Sequence, residues 1–143
     1  MTIICWDGKT LAADKRASNN GLIRTTTKIF RVNDCLVGFS GDLDQCMEMV
    51  NWVRGGCAIS DFPTSQRDKD RWITLGVINQ AGLRVYEMTP FPIIYEDAFW
   101  ATGSGRDYAI AALHLGKTAR EAVEISSIFD TGCGNGIDSL ELC

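Results

Sequence analysis

Short apolar runs joined by turn residues dominate the chain and constrain its fold more than any other feature. TIICWD and KTLAADKRA meet at Asp7-Gly8, and Asp-Gly between two such runs is a strong hairpin signal. TKIFRVN and CLVGFS form a second pair about Asn33-Asp34, and WITLGVIN and LRVYEMT form a third about residues 80–82. Because hairpins join antiparallel neighbours, the sheets are predicted to be mostly antiparallel.

Three segments interrupt the strands with helical spacing. Between Asp42 and Arg54 the apolar residues fall on one helical face, with Asp42 as N-cap and Gly55-Gly56 as the stop. The residues of that face are Leu43, Cys46, Met47, Val50 and Val53. GRDYAIAALHLG predicts a second helix, and residues 118–129 a third, with Thr118 and Glu121 in capping-box spacing.

The remaining segments predict turns, loops and further strands. SNNG (18–21) indicates a turn, and the polar stretch 57–71 indicates a loop. PFPIIYED and FWATGSG are strand candidates, and the alternating IDSLEL is predicted to be the last strand. The order of strands, helix, strands, two helices and strand indicates a single α+β domain over residues 1–143, with two packed sheets and helices outside.

Composition excludes several classes of function. The net charge of −4 argues against nucleic acid and anionic membranes as partners, and no apolar run is long enough to span a bilayer. The N-terminus lacks the features of a secretory signal, so a cytoplasmic location is expected. The chain has six cysteines, one histidine and no CxxC motif, so we expect reduced thiols, no metal and no cofactor; a disulfide framework is the less favoured alternative.

Thr2 lies directly behind Met1 at the head of the first strand-like run. Its position has a trivial explanation, since some residue must be second. The chemical explanation is that methionine aminopeptidase readily removes Met1 before a residue as small as threonine. Thr2 would then carry a free α-amine beside its own hydroxyl, and an N-terminal amine is a known activator of a threonine nucleophile.

A series of motifs in order gives the chain a specific resemblance. They are Thr2 heading a strand, LAADKRAS, TKIF, GFSGDLDQ, TGSGRDYAIAAL, and the 130–136 loop followed by IDSLEL. With these motifs the chain resembles the β-type subunits of proteasomes and the HslV-type bacterial protease, among the N-terminal nucleophile (Ntn) hydrolases. The resemblance implies a four-layer αββα sandwich of two mostly antiparallel sheets.

The resemblance also implies catalytic roles for individual residues. Thr2 would be the nucleophile and, through its amine, its own base. Lys28 would lower the pKa of the Thr2 hydroxyl by its positive charge, and Asp14 would pair with Lys28 and hold it in place. The backbone N–H of Gly41 would stabilise the oxyanion. An α-amine with a pKa of about 8 suits this mechanism, because a base works best when its pKa lies near the working pH.

Further roles follow from the resemblance at the edges of the site. Ser104 and Asp130 would hydrogen-bond around the Thr2 amine, and Cys133 stands where the family commonly has serine. Ser18 and Gly41 would flank a substrate strand through backbone hydrogen bonds, and Arg16 would give structural support.

Structural explanations compete with some of these catalytic roles. Ser104 fits almost equally well as a cap of the following helix, and Cys133 fits equally well as a small buried residue. Asp130 lies where a helix is predicted to end, and an acid there opposes the helix dipole. That local misfit favours a functional explanation for Asp130. His114 is expected on a helix surface without a role.

The resemblance implies peptide substrates, a homo-oligomer such as a ring, and an ATP-dependent unfoldase as a possible partner. Family members usually follow the first long helix with an antiparallel second one that joins stacked rings. Residues 58–71 have no helical apolar period, so this second helix is expected to be missing.

The sequence therefore predicts an N-terminal threonine peptidase that acts once Met1 is removed. Two alternatives remain open. One is a catalytically inactive binding or assembly protein on the same fold, and the other is an amidohydrolase of small molecules.

Overall fold

The computed structural model describes residues 2–63 and 73–142 of the chain. Ten strands and three α-helices form its framework within these ranges. In chain order they are β1 (Ile4–Trp6), β2 (Thr10–Asp14), β3 (Arg16–Asn19), β4 (Leu22–Thr25), β5 (Ile29–Val32), β6 (Cys35–Gly41), α1 (Leu43–Arg54), β7 (Ile73–Asn79), β8 (Gly82–Tyr86), β9 (Trp100–Thr102), α2 (Arg106–His114), α3 (Ala119–Phe129) and β10 (Ile137–Glu141).

Two four-stranded sheets carry the architecture, with strand orders β10-β2-β1-β9 and β5-β6-β7-β8. The strand pairs within both sheets are antiparallel, as the hairpin signals predicted. The three predicted hairpins are confirmed as β1–β2, β5–β6 and β7–β8. A separate hairpin, β3–β4, turns at Asn20-Gly21 within the predicted SNNG turn.

The two sheets pack face to face around an apolar inner layer. Ile4 and Leu11 of the first sheet meet Leu36 and Ile78 of the second, together with Trp100 of β9. At Gly76 the sheets approach so closely that a Cβ atom would lie 2.6 Å from the Trp100 ring. Only glycine therefore lets β7 pass beneath this indole without displacing it.

The helices cover the outer faces and complete the predicted four-layer αββα sandwich. Helices α2 and α3 pack on the first sheet around residues such as Ile3, Leu113 and Val123. Helix α1 packs on the second sheet, where Met49 and Trp52 are buried. Each sheet thus buries both of its faces, which explains runs such as LAAD in which consecutive residues are all inaccessible.

Helix boundaries follow the predicted signals, with one correction to the buried face. Thr118 and Glu121 form the full capping box, and Gly55 ends α1. Asp42 occupies the N-cap of α1 without a capping hydrogen bond from its side chain. The predicted apolar face of α1 was partly wrong, because Leu43 and Met47 are exposed. Gln45, Met49 and Trp52 are buried in addition to the predicted Cys46, Val50 and Val53.

Two further predictions need correction or restriction. PFPIIYED does not form a strand, since only Ile93 makes an isolated bridge, to Val85. Between α1 and β7, the described part of the chain has one 3-10 turn, Ile59–Asp61, and no second α-helix. The rest of the predicted 57–71 loop, from residue 64 onward, lies outside the described residues. Within the described ranges, no helix is long and apolar enough to cross a membrane.

Candidate active site

Thr2, Asp14 and Lys28 meet at one end of the inner layer because of strand pairing. Thr2 leads into β1 and Asp14 ends β2, and the Asp14 N–H donates to the Ile3 carbonyl at 3.1 Å. Lys28 immediately precedes β5 of the other sheet. The exposed fractions of Thr2, Asp14 and Lys28 are 4%, 0% and 2%. Residues from both sheets thus place three polar side chains in one nearly inaccessible position.

The Lys28 ammonium links the other two side chains. Its Nζ donates to Asp14 Oδ1 at 2.7 Å and also hydrogen-bonds to Thr2 Oγ1. The Thr2 hydroxyl lies 3.4 Å from the same carboxylate oxygen. Burial lowers the pKa of Lys28, and the Asp14 carboxylate opposes this shift. Lys28 can therefore give up its proton at a lower pH than a solvated lysine.

Asp14 is held by backbone groups as well as by Lys28. Its Oδ1 accepts from the Ile3 N–H at 3.1 Å, and its Oδ2 accepts from the N–H groups of Arg16 at 3.2 Å and Gly134 at 3.0 Å. These bonds satisfy a carboxylate that has no access to water. They also fix the position of Asp14 Oδ1, the oxygen that accepts a hydrogen bond from Lys28 Nζ.

The backbone nitrogen of Thr2 faces a different set of groups. This nitrogen, which the sequence joins to Met1, donates to Ser104 Oγ at 3.1 Å. A hydrogen bond from Ser104 lowers the pKa of Asp130. Cys133 Sγ lies 3.5 Å from Asp130 Oδ2, and burial raises the pKa of this thiol to about 12, so it stays neutral. Ser104, Asp130 and Cys133 therefore lie together beside Thr2.

Gly103 fixes the distance between Thr2 and the segment that carries Ser104. Its φ is +101°, and a Cβ atom there would lie 2.2 Å from the Thr2 carbonyl oxygen. The N–H of Gly105 donates to that oxygen at 3.1 Å. Sequence reasoning missed Gly103 as a site residue, although the two glycines flanking Ser104 in TGSG were the available signal.

Arg16 holds the loop that carries Cys133. Its Nη1 donates to the Thr131 carbonyl at 2.7 Å and its Nε donates to Asn135 Oδ1 at 3.1 Å. The guanidinium packs so tightly on Gly134 that a Cβ atom there would lie 2.6 Å away. Because Gly134 in turn donates to Asp14, the contact between Arg16 and this loop joins both halves of the site.

The residues expected to contact substrate lie in different surroundings. Gly41 ends β6 with a φ of +123° and lines a cleft of about 590 Å³ that Gly103 and Ser104 also line. Ser18 is exposed on the β3–β4 hairpin, opposite Ile23. His114 is exposed at the end of α2 and borders a neighbouring cleft, which shares Tyr95 and Trp100 with the first. Over the described residues, no group of three or more His, Cys, Asp or Glu side chains could hold a metal ion.

Comparison with curated proteins finds similarity to archaeal proteasome subunits. Proteasome subunit beta 1 of Thermococcus kodakarensis is 25% identical, and the alignment covers 94% of this chain and 83% of the relative. Proteasome subunit beta 1 of Thermococcus onnurineus is 26% identical with the same coverage. No protein-family model matches the chain.

Solved structures add the fold. "Thiobacillus denitrificans BPH in complex with Epoxomicin" superposes with a TM-score of 0.74 at 18% identity, covering all of both chains. Eukaryotic HslV from Trypanosoma brucei superposes with a TM-score of 0.68 at 19% identity, covering 98% of each chain. The chain has the proteasome-β/HslV fold. The resemblance to proteasome β subunits and HslV is thereby confirmed at the level of the fold.

Proposed function

We propose that this chain is an N-terminal threonine peptidase in which Thr2 is the nucleophile once the bond between Met1 and Thr2 has been cleaved. The observation that carries the proposal is the buried contact of the Thr2 hydroxyl with Lys28 Nζ, itself paired with Asp14 at 2.7 Å. A buried lysine paired with a carboxylate is an expensive arrangement, and a catalytic task for the hydroxyl explains its presence.

The proposed reaction begins with two groups of the same residue, the amine and the hydroxyl of Thr2. The free amine of Thr2 accepts the proton of Oγ1, and the charge of Lys28 favours the developing alkoxide. Oγ1 attacks the scissile carbonyl, and the backbone N–H of Gly41 donates to the resulting oxyanion. The protonated amine then gives its proton to the leaving nitrogen, and the C–N bond breaks to leave an acyl group on Oγ1. Water later hydrolyses this acyl-enzyme and restores the Thr2 hydroxyl.

Ser104, Asp130 and Cys133 position the amine in this proposal. The Ser104 hydroxyl already accepts a hydrogen bond from the Thr2 nitrogen at 3.1 Å. Its own bond to Asp130 keeps it oriented, and the neutral Cys133 thiol adds a weak donor to that carboxylate. Ser18 and Gly41 are proposed to hold an extended peptide by their backbone groups.

Association with further copies belongs to the same proposal. Several large apolar side chains are exposed, among them Phe91, Ile94, Ile128 and Phe129, and such surface favours burial against another protein. A cytoplasmic homo-oligomer that receives unfolded protein or peptide, with an ATP-dependent unfoldase as possible partner, fits this surface. Light scattering should give a mass well above 15.7 kDa, and a monomer alone would contradict the oligomer.

The experiment begins with the intact mass of the protein, to establish that Met1 is absent. The Met1-free protein is then incubated with epoxomicin, the compound named with the Thiobacillus structure, and with fluorogenic peptides. We expect a covalent adduct on Thr2 and peptide hydrolysis. Thr2→Ala and Lys28→Ala should abolish both while circular dichroism shows folded protein, and Thr2→Ser should retain measurable activity.

Each other outcome identifies one of the alternatives. Hydrolysis that survives Thr2→Ala would exclude Thr2 as nucleophile. Complete retention of Met1 in the cell would favour an inactive binding or assembly protein, since the amine would not exist. An adduct on Thr2 without peptide hydrolysis, but with hydrolysis of small amides, would favour an amidohydrolase.

A further inference from the structure

The cleft of about 590 Å³ beside Thr2 is lined by both sheets. Ser40 and Gly41 at the end of β6 form one wall, and Trp100 to Thr102 of β9 form the other. The Ser40 and Thr102 hydroxyls hydrogen-bond across it at 2.8 Å. This bond fixes the separation of the two sheets where the cleft begins, so the cleft has a defined polar wall on each side.

The cleft lies against residues that contact the backbone of Thr2, and not against the residues that contact the Thr2 hydroxyl. Gly103 and Ser104 line the cleft, and both contact Thr2: Gly103 packs on its carbonyl, and Ser104 accepts from its nitrogen. Thr2 itself does not line the cleft, and neither do Asp14 and Lys28, so Gly103 and Ser104 are the residues that connect the cleft to Thr2. The cleft therefore opens on the amine side of the nucleophile.

The chemistry of the proposed reaction indicates which part of the substrate lies on the amine side of Thr2. The Thr2 amine is the group that protonates the leaving nitrogen, so the leaving part of the substrate must pass within hydrogen-bonding distance of the amine. The oxyanion must at the same time reach Gly41, which lines the same cleft. A substrate that satisfies both conditions directs its leaving group into the cleft.

Arg106 is the one positively charged side chain among the described residues that line this cleft. It is the first residue of α2, and its Nη1 donates to the Gly103 carbonyl at 3.0 Å. This bond holds the guanidinium against the residue that packs on Thr2. The side chain remains 59% exposed, and its contact with Asp107 is long, at 3.9 Å. A guanidinium has five N–H donors, so most remain for a ligand.

Glu87 also lines the cleft, but farther along it. It follows β8, which lies two strands away from β6 and Gly41 in the second sheet. Neighbouring strands are about 4.8 Å apart, so Glu87 belongs about 10 Å from the oxyanion position. Because Arg106 contacts Gly103, which packs on Thr2, a leaving peptide that follows the cleft would reach Arg106 before Glu87.

We propose that this cleft is the subsite for the leaving group, and that Arg106 selects a carboxylate on the first residue of that group. The carboxylate comes from an acidic side chain or from a free C-terminus. The inference rests on the proposed peptidase function, because only a cleaved amide has a leaving group. It assigns Arg106 a role in substrate choice that is separate from the catalytic groups.

The test compares peptides that share one acyl side and differ only after the scissile bond. The first leaving residue is Glu amide, Gln amide, Lys amide or glycine with a free carboxylate. For the Met1-free protein we expect kcat/KM for Glu to exceed that for Gln about fivefold, as for a partly exposed charged hydrogen bond. The glycine peptide is compared with its own amide, which separates the two sources of carboxylate.

Variants assign the preference to Arg106. Arg106→Gln should bring the Glu-to-Gln ratio to about one, and Arg106→Glu should favour the Lys peptide. The ratio is taken within each variant, so a general change in activity cancels. Arg120→Gln removes the same charge from α3, which does not line the cleft, and should leave the ratio unchanged.

The outcomes separate this inference from the proposed function. Hydrolysis of every peptide at equal kcat/KM would overturn the subsite while the peptidase stands. A preference that persists in Arg106→Gln would also overturn it. If the Met1-free protein hydrolyses neither these peptides nor an aminocoumarin amide, the proposed function fails and the subsite fails with it.

Discussion

The two sides of Thr2 differ sharply in their surroundings. On the hydroxyl side, Asp14 and Lys28 are inaccessible to water, and the backbone of both sheets contributes to their positions. On the nitrogen side, Ser104 is exposed and Asp130 is half-buried, and both belong to connecting segments. The hydroxyl side depends on strand pairing and charge pairing, whereas the nitrogen side depends on loop geometry.

The difference indicates where the molecule tolerates change. A buried ion pair lacks solvent to compensate for the loss of one partner, so its residues are coupled to folding. Groups near water exchange partners at small energetic cost. Mutations of Asp14 or Lys28 should therefore affect stability and activity together, and mutations of the more accessible Ser104 and Asp130 side chains should affect activity more than stability.

The largest effect is expected for Lys28→Met. This change leaves the Asp14 carboxylate buried without its cation and should lower the free energy of unfolding by about 3–5 kcal/mol. Lys15→Met is the matched control, because Lys15 pairs with Asp138 at the same distance of 2.7 Å but is 24% exposed. The control should lose less than about 1 kcal/mol in urea unfolding. Equal losses in the two variants would contradict the comparison.

Gly103→Ala tests the contact that joins the nitrogen side to Thr2. A Cβ atom would overlap the Thr2 carbonyl, so we expect a loss of about 3 kcal/mol from strain and displacement. Gly82→Ala has a similar φ of +119° but meets nothing within 4 Å, and should lose about 1 kcal/mol. Thermal or urea unfolding of both variants measures the difference in the free energy of unfolding. Similar losses in the two variants would show that the contact between Gly103 and the Thr2 carbonyl has no effect on stability.

The pH dependence of stability tests the nitrogen side. The hydrogen bond from Ser104 holds the pKa of Asp130 below its ordinary value, so the unfolded chain binds a proton first as the pH falls. This contribution is present above about pH 4 and is lost as the pH falls through the folded pKa. Urea midpoints from pH 6 to pH 2.5 should fall less steeply for Asp130→Asn than for the unmodified protein.

The matched control for this titration is Asp107→Asn, since the Asp107 side chain is 90% exposed. That variant should follow the unmodified protein across the whole pH range. An identical acid profile for Asp130→Asn and Asp107→Asn would show that the Ser104 hydrogen bond contributes nothing to stability.

The smallest effect is expected for Cys133→Ser. A hydroxyl is a better donor to Asp130 than the neutral thiol, and it fits the same space. We expect kcat to rise about twofold, with little change in stability. Cys46→Ser, a buried cysteine of the α1 core, should give no such rise and serves as control. A fall in kcat for Cys133→Ser would show that the thiol has a role of its own.

Local signals made much of the fold predictable from sequence. Asp-Gly at 7–8 has few conformations other than a tight turn, and the spacing of Thr118 and Glu121 specifies a helix start. Strand pairing then determines position: the pairing of β1 with β2 brings Asp14 next to Thr2. The contact of Asp14 with the start of β1 could therefore be anticipated, whereas the place of Lys28 beside them was implied only by the resemblance. The catalytic roles of all three residues stay predictions.

Features that depend on long-range packing could not be read from local pattern. PFPIIYED has the composition of a strand, but only Ile93 finds a bridging partner. On α1, Leu43 and Met47 match the apolar period yet lie beyond the sheet surface that buries Trp52. The close approach of Gly103 to Thr2 joins segments about a hundred residues apart, and no pattern within one segment contains that information.

The bond between Gly134 and Asp14 has a consequence for the order of assembly. It joins residues 120 positions apart, and the bond from Thr2 to Ser104 joins residues 102 apart. Contacts of such large sequence separation are slow to form, because the entropy of closing the intervening chain opposes them. The surroundings of Thr2 are therefore incomplete in any partly folded form that lacks the pairing of β10 with β2. A chain still emerging during synthesis would carry the threonine without the environment that activates it.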